Sequence, residues 1–507
     1  MTTLIRRART VTMPAPGISL SYKSSPTAAL AKRGFASNRS ASRSSDRVIV
    51  IAGVVAILLI FRLPEVARDI AFVTVAVVGF GLAFRYFAQI WMLVLGTLPI
   101  IQLQGSLFGV AKVSAIRFLL MGLTLVFLLL RKPRGYWTVL TRRVGVLALG
   151  LFIFANILSA VHLGQADAVF RSVAYSEPFL VFMLTYYMVR QDPGNARRVL
   201  RALVIGGLCV CILGIVEFML QQSILDVLGV SYSGTEDPRT YLLEDRYGLG
   251  GRISSTFIQP VYAATGFFIY TLVSAFYLII YKPKFPRFLV VLAPIFGVFL
   301  VLITGSRGPL VALVPTTLAF TLLVGSKRAV LAVIGVAVVL FGLSAYDVLP
   351  GLRAYWTESI NLSSQQSANV FGRVDLTTML LDIFKENPVL GFGPGMIQKL
   401  GFGGSGEFAR LAGLENQYAV ILAEGGILAG STYLLFMLAV FGHLLKVRRT
   451  SQGLDLKYWG LMSLVLFTYV FAGAAFANFL VGPVLNTVMA IYAVTVAGYE
   501  TWANQPA

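Results

Sequence analysis

Past a polar start, the chain alternates between long apolar runs and short polar breaks. From residue 48 onward the runs reach spanning length, about 20 residues for a hydrocarbon core of about 30 Å. Hydropathy places fourteen of them, over 48–62, 69–85, 87–104, 113–130, 144–161, 173–189, 199–220, 256–281, 288–305, 308–326, 329–346, 415–441, 458–477 and 480–499. The first two are short and the break at 85–87 is abrupt, so two of the set fit re-entrant or interfacial segments. Backbone polar groups in lipid must be satisfied within their own segment, which forces helices. The pattern predicts an all-α polytopic membrane protein with about 14 (12–14) transmembrane helices. It divides into a basic, disordered cytoplasmic tail over 1–47, helices 1–11 over 48–346, a large extracytoplasmic loop over 347–414, and helices 12–14 over 415–507. Within that loop, Val374, Leu381 and Phe384 recur at helical spacing, and Asn387-Pro388 then stops the helix. An amphipathic helix at the outer membrane surface is expected there.

Composition agrees with the pattern: 57% of the 507 residues are hydrophobic and 13% are charged. Soluble domains run at about 45–50% apolar and about 25% charged, so an ordinary soluble enzyme is excluded. The formal net charge of +20 would suggest nucleic acid in a soluble protein. Its distribution says otherwise. With the N-terminus inside, the cytoplasmic segments hold 28 Lys and Arg against four acids, and the outer segments hold 13 against 15. This asymmetry follows the positive-inside rule and places both termini in the cytoplasm. Arg117, Glu177, Glu217 and Glu424 remain within the membrane. The Ser- and Arg-rich stretch 1–47 resembles an organellar transit peptide in composition, but a basic tail attracted to anionic lipid also fits it.

Little metal or nucleotide chemistry can be built from these residues. Cys209 and Cys211 share one apolar run, and His162 and His443 are far apart. No Gly-x-x-x-x-Gly-Lys motif appears in the basic cytoplasmic loops, so an ATP-driven pump is unsupported. No metal and no cofactor are expected.

Candidate chemistry therefore lies at the outer face. Arg171, Arg252, Arg307 and Arg373 sit at or near membrane boundaries. Arg307, with Ser306, occupies a short turn and enters a helix whose N-terminus faces outward. Free N–H groups and the helix dipole there suit phosphate, and a guanidinium binds phosphate oxygens bidentately. A snorkelling arginine that anchors the turn is the plainer alternative. Glu415, followed by Asn416 and Tyr418, opens the twelfth span and offers a general base toward a sugar hydroxyl. A first-turn acid favoured by the dipole accounts for it equally. Glu424 would lie about 13 Å deeper, too deep for a headgroup unless Gly425-Gly426 breaks the helix. Intramembrane Glu177 and Glu217 fit either functional acids or acids hydrogen-bonded between helices. The glycine runs 391–395 and 401–406 follow no strand, so they read as flexible turns or anion nests, not a dinucleotide fingerprint. Tyr241, Tyr247, Tyr262, Trp356 and Tyr418 fit sugar stacking or an interfacial belt.

Three blocks in order resemble the bacterial O-antigen ligase and polymerase family. They are Arg252-Ile-Ser-Ser-Thr-Phe-Ile-Gln-Pro260, then Ile303-Thr-Gly-Ser-Arg-Gly308, then a long third block. The third comprises Gly372-Arg373, Asn387-Pro-Val-Leu-Gly-Phe-Gly-Pro-Gly395, Glu415-Asn-Gln-Tyr418 and Glu424-Gly-Gly-Ile-Leu-Ala-Gly430. The resemblance covers roughly 250–430. It implies glycosyl transfer from undecaprenyl diphosphate to a hydroxyl acceptor at the outer face of the bacterial cytoplasmic membrane, without nucleotide sugar or metal. Acceptors in the family are a lipid A core sugar or a protein serine for ligases, and another lipid-linked repeat unit for polymerases. Arg307 and Arg373 match the family's charge-stabilising arginines. Arg252, Arg171, Ser306, Asn416 and Tyr418 are the associated substrate-binding candidates. Glu415 stands where ligases carry histidine, which favours a polymerase of surface or exopolysaccharide over a ligase. A flippase and a chain-length regulator of the same pathway are the expected partners, with no nucleic acid. A polysaccharide transporter is the alternative of another class, since transporters place substrate sites near the midplane.

Overall fold

A computed structural model describes residues 43–101, 115–131, 144–164, 166–228, 253–257, 260–281, 287–304, 306–324, 365–397, 416–451, 454–475 and 483–503. The chain divides into two units, Met1–Asn38 and Arg39–Ala507, and every described residue lies in the second. Among the described residues, regular secondary structure is helical throughout. Among these residues six helices are long and apolar enough to cross a membrane: Glu65–Ile100, Gly145–His162, Asn195–Leu220, Pro260–Tyr281, Gln417–Thr450 and Asp455–Gly473. With four shorter apolar helices beside them, this is a multi-pass integral membrane protein. The predicted span 329–346 lies outside the described residues, as does most of the loop 347–414.

The first two helices, α1 (Arg43–Phe61) and α2 (Glu65–Ile101), pack on each other, and α1 begins five residues inside the predicted tail. Next come α3 (Ala115–Arg131), α4 (Val144–His162), the short α5 (Ala166–Ala174), α6 (Glu177–Gln191) and α7 (Asn195–Leu220). The helical run of α2 is interrupted at Tyr86 (φ −122°, ψ 40°). Phe80, before that point, packs on Phe118, and Phe87, just after it, packs on Phe127, so α2 advances along α3 across the interruption. α3 and α6 run side by side in one direction, joined by Arg117 with Glu177 and by Phe127 with Tyr187. Beyond Tyr86, Trp91 donates to Thr185, back toward the start of α6. The run is thus kinked at Tyr86, within the break that hydropathy placed at 85–87.

The interior is built from α6 and α15 (Pro483–Ala503), which pack along each other. Tyr186, Phe182 and Tyr492 fill that seam. At its far end Arg190, Tyr186 and Glu500 form a buried hydrogen-bonded ion pair. α2 meets α7 closely because Gly206 faces the Gly96 carbonyl, where a Cβ would fall 2.3 Å away. After α8 (Ile224–Leu228) and a 3₁₀ turn at Ser255–Phe257, α9 (Pro260–Tyr281) packs on α10 (Arg287–Ile303). α11 (Arg307–Val324) packs on α14 (Leu454–Gly473). Proline opens both α9 and α15, where its missing N–H costs no helical bond.

The remaining two helices, α12 (Gln365–Glu386) and α13 (Gln417–Thr450), carry the C-terminal part of the site. α13 is interrupted at Gly426 (φ 65°, ψ −169°), a conformation open essentially to glycine alone. Gln417 and Tyr433 are 16 positions apart, yet Gln417 Nε2 donates to Tyr433 Oη. A straight helix would separate them by about 24 Å, so α13 folds back into two arms. α4 supplies the scale. Tyr433 packs on Phe152, while Ser159 Oγ donates to the Glu424 carbonyl at 3.0 Å. Gln417 is therefore level with Phe152, and Glu424 lies about 10 Å further toward the His162 end of α4. Glu424 is therefore at the bend, and the start of the first arm is level with Phe152 of α4 and the end of α14. The helix break that the sequence made a condition for Glu424 to matter is present.

α12 ends at Glu386, where Asn387-Pro388 was expected to stop it. Its buried face differs from the predicted one. Leu380 and Ile383 are buried, with Leu376 and Met379 against them, while Leu381 is 40% exposed. The partner surface is Ala419, Val420 and Ala423 of the first α13 arm, so α12 packs on protein and does not only lie on the membrane surface.

Candidate functional site

The site is built around the α13 bend. Between α12 and the end of the described loop, Gly391, Gly393 and Gly395 all adopt positive φ. The turn they form is a fixed plug. Phe392 N–H donates to the Ala423 carbonyl at 3.0 Å, and Gly393 N–H to the Glu424 carbonyl at 2.8 Å. In return Ile427 N–H donates to the Pro388 carbonyl at 2.8 Å. Asn387 Nδ2 closes the turn on the Gly391 carbonyl at 2.7 Å. Backbone groups freed by the bend in α13 are thus satisfied by the turn, as burial requires. This corrects the expectation of flexible glycine segments for 391–395.

Glu424 is buried in this arrangement. Its carboxylate accepts Ile397 N–H at 3.3 Å and the Gly395 N–H. Arg171, from α5, is the cation that attracts it. The same arginine lies over Gly395, where a Cβ would fall 2.2 Å from Arg171 Cδ. Tyr175 feels both charges and stacks toward Phe152, with ring centroids 5.6 Å apart. Asn156, one turn before Ser159 on α4, stands beside Gly425.

The first α13 arm is anchored at its start. Asn416 caps it, its Oδ1 accepting the N–H groups of Tyr418 and Ala419 at 3.1 and 3.3 Å. Gln417 N–H donates to the Ala474 carbonyl at 2.9 Å, and Tyr418 Oη to the Phe471 carbonyl at 2.6 Å. Of the two predicted residues, Asn416 is thus engaged as the cap of its own helix and Tyr418 is bonded to α14.

The other candidates stand elsewhere. Arg307 is the first residue of α11, as the helix-entry reading required. Ser306 before it is buried, and its N–H donates to Thr304 Oγ1 at 3.4 Å. Arg373 lies within α12, one turn ahead of Leu376, the first residue of the face against α13. Arg252 and Glu415 lie outside the described residues, each directly beside a described anchor. The anchor after Arg252 is Ile253–Phe257, held by Glu217. That carboxylate accepts the N–H groups of Ile224 at 3.4 Å, Ser254 at 3.1 Å and Ser255. Glu177 is paired with Arg117 at 2.7 Å. Of the three acids placed within the membrane by hydropathy, Glu424 is the one that meets a predicted site residue, Arg171, among the described residues. Among the described residues no group of three His, Cys, Asp or Glu is placed to hold a metal ion.

The sequence reading missed Asn156, Ser159 and Tyr175. Their signal was present: Asn156 and Ser159 are polar residues inside the apolar run 144–161, and such residues seldom occur in a span without a partner.

Compared with known families, residues 289–434 match the model described as O-antigen ligase, Wzy_C. The matched segment runs from α10 to just past the α13 bend, so it contains Arg307, Arg373, the glycine turn and Glu424. The match supports assignment to the O-antigen ligase family and, in general terms, a ligase- or polymerase-type function. No curated protein matches the chain.

Proposed function

Taking the O-antigen ligase family as premise, we propose that the protein transfers a glycan from undecaprenyl diphosphate to a sugar hydroxyl at the outer face of the cytoplasmic membrane. It acts as a polymerase that lengthens lipid-linked repeat units into surface or exopolysaccharide. The leaving group is a lipid diphosphate, so negative charge grows on it as the C1–O bond breaks. Arg307 and Arg373 stabilise that charge, an electrostatic role for which preorganised cations are suited. Arg252, Arg171 and Ser306 hold the donor. Glu415 takes the proton of the acceptor hydroxyl, and Asn416 and Tyr418 shape the acceptor side. No step calls for a nucleotide sugar or a metal.

One observation carries this reading. The Gly391–Gly395 turn docks on the α13 bend, and Leu380, Ile383 and Ile397 pack on Ala419, Val420 and Ala423. The helix that bears Arg373 is thereby tied to the arm that begins beside Glu415. This packing of α12 on the first α13 arm supports roles for Arg373 and Glu415 in a common site.

The test uses purified protein and undecaprenyl-diphosphate-linked repeat units in detergent. Lengthened lipid-linked chains are the expected product. Arg307→Ala and Arg373→Ala should each lower the rate on the order of a hundredfold or more and leave only single repeat units, with protein still in the membrane. Normal chain lengths in both variants would sink the reading. Conversion in detergent, where no sides exist, also excludes pure transport. The description of the matched model favours a second reading, a ligase. In that case lipid A core or protein gains the glycan and lipid-linked chains do not grow. Under either reading, Glu415→Gln with full activity removes Glu415 as the base.

A further inference from the structure

Among the described residues, Glu424 is the buried acid that sits at a chain bend and meets a charged partner from a distant helix. Its backbone carbonyl accepts from Gly393 N–H and from Ser159 Oγ. Its side chain accepts from Ile397 N–H and Gly395 N–H and attracts Arg171. Three elements, α4, α5 and the glycine turn, therefore converge on one residue. All of its side-chain partners are donors. An amide would keep one acceptor oxygen but lose the charge that attracts Arg171 and bring an NH₂ among donors, so a carboxylate suits the arrangement better.

The space around Gly395 adds a second constraint. Arg171 fills the volume a Cβ would take there, within 2.2 Å of both Cδ and Nη1. The guanidinium is held from one side by charge and from the other by contact with the turn. We propose that Glu424 is a positioning residue: it locks Arg171 and the Gly391–Gly395 turn into one unit, so that the arginine is preorganised to bind the diphosphate of the donor. This rests on the donor role given to Arg171 above. A guanidinium with its fork fixed loses less freedom on gripping two phosphate oxygens, so the gain belongs to donor binding.

The experiment has two arms on the full-length protein in detergent. The first is hydrogen exchange over residues 391–397, which needs no activity. Glu424→Gln should speed exchange of the Gly395 and Ile397 amides, with Glu424→Asp intermediate. Unchanged protection in Glu424→Gln overturns the lock. The second arm is steady-state kinetics with the lipid-linked donor. Glu424→Gln should raise the donor KM on the order of tenfold to a hundredfold, with a smaller change in kcat. In an Arg171→Ala background the same substitution should change KM by less than about twofold. Equal factors in the two backgrounds would show that Glu424 only supports the fold and would overturn the positioning role. If wild-type protein transfers nothing from the lipid diphosphate, the functional reading fails, and with it the donor role of Arg171, while the exchange arm still decides the lock.

Discussion

Glu217 shows how a single buried side chain can hold a segment it is far from in sequence. It accepts N–H groups from Ser254 and Ser255, 37 and 38 positions later. Ser255 is one of two non-glycine residues with positive φ among those described (φ 50°), and Glu217 compensates that strained turn. Glu217→Ala would leave those donors buried without an acceptor, at about 1–3 kcal/mol for each. The expected result is a lower thermal unfolding midpoint in detergent, with the loss partly recovered by Ser255→Gly. An unchanged midpoint would contradict the role. From sequence, the acid could be recognised as unusual for its depth. Its partners could not, because residues 254 and 255 carry no pattern that marks their amides as needing an acceptor. The same holds for Glu177, visible as an intramembrane acid but paired only by the fold with Arg117, 60 positions earlier. Glu415, Arg307 and Arg373 are proposed from motif spacing, which order along the chain preserves and contacts do not enter.

At the scale of elements, hydropathy located the helices well and the bends poorly. An apolar run of 34 residues looks the same whether it continues or doubles back, because apolar character carries no direction. Gly425-Gly426 was a visible weak point, but only tertiary partners decide whether such a point bends. Here they are the turn at Val389–Gly393 and Ser159. Gly426→Ala should be among the most damaging single-methyl changes in the chain. The added Cβ would fall 2.2 Å from the Val389 carbonyl oxygen, at a φ of 65° with an extended ψ. The expected outcome is a sharp loss of folded protein on detergent extraction, whereas Gly442→Ala, with nothing within 4 Å, should be tolerated. Size-exclusion profiles of the two variants measure this, and equal recovery would argue against a rigid bend. The face of α12 was misjudged for a related reason. Val374, Leu381 and Phe384 suggested one stripe, but the surface offered by α13 selects Leu380 and Ile383 instead. A helix with apolar residues on several sides buries the side that meets a partner.

For the molecule as a whole, charge asymmetry gives a direction to test. The excess of Lys and Arg falls on loops that hydropathy places on one side, including Lys446, Arg448 and Arg449 at the end of α13. In a chain with Cys209 and Cys211 replaced, Thr450→Cys should react with an impermeant thiol reagent only after the cytoplasmic side is opened. Glu386→Cys should react in intact cells. Both positions are exposed, so access to the thiol depends on sidedness. The opposite labelling pattern would invert the orientation and remove the outer-face site.

The bend at Gly426 also has a consequence for biogenesis. Ser159 meets the Glu424 carbonyl across 265 positions of chain. That contact cannot form until the ribosome has made almost everything between, and long-range closures of this kind are slow. Until then α4 lacks the Ser159 partner, whereas Asn156 already donates to the Phe152 carbonyl of its own helix at 2.8 Å. During that interval the nascent protein holds a polar notch facing lipid or translocon, which only the C-terminal quarter of the chain can seal.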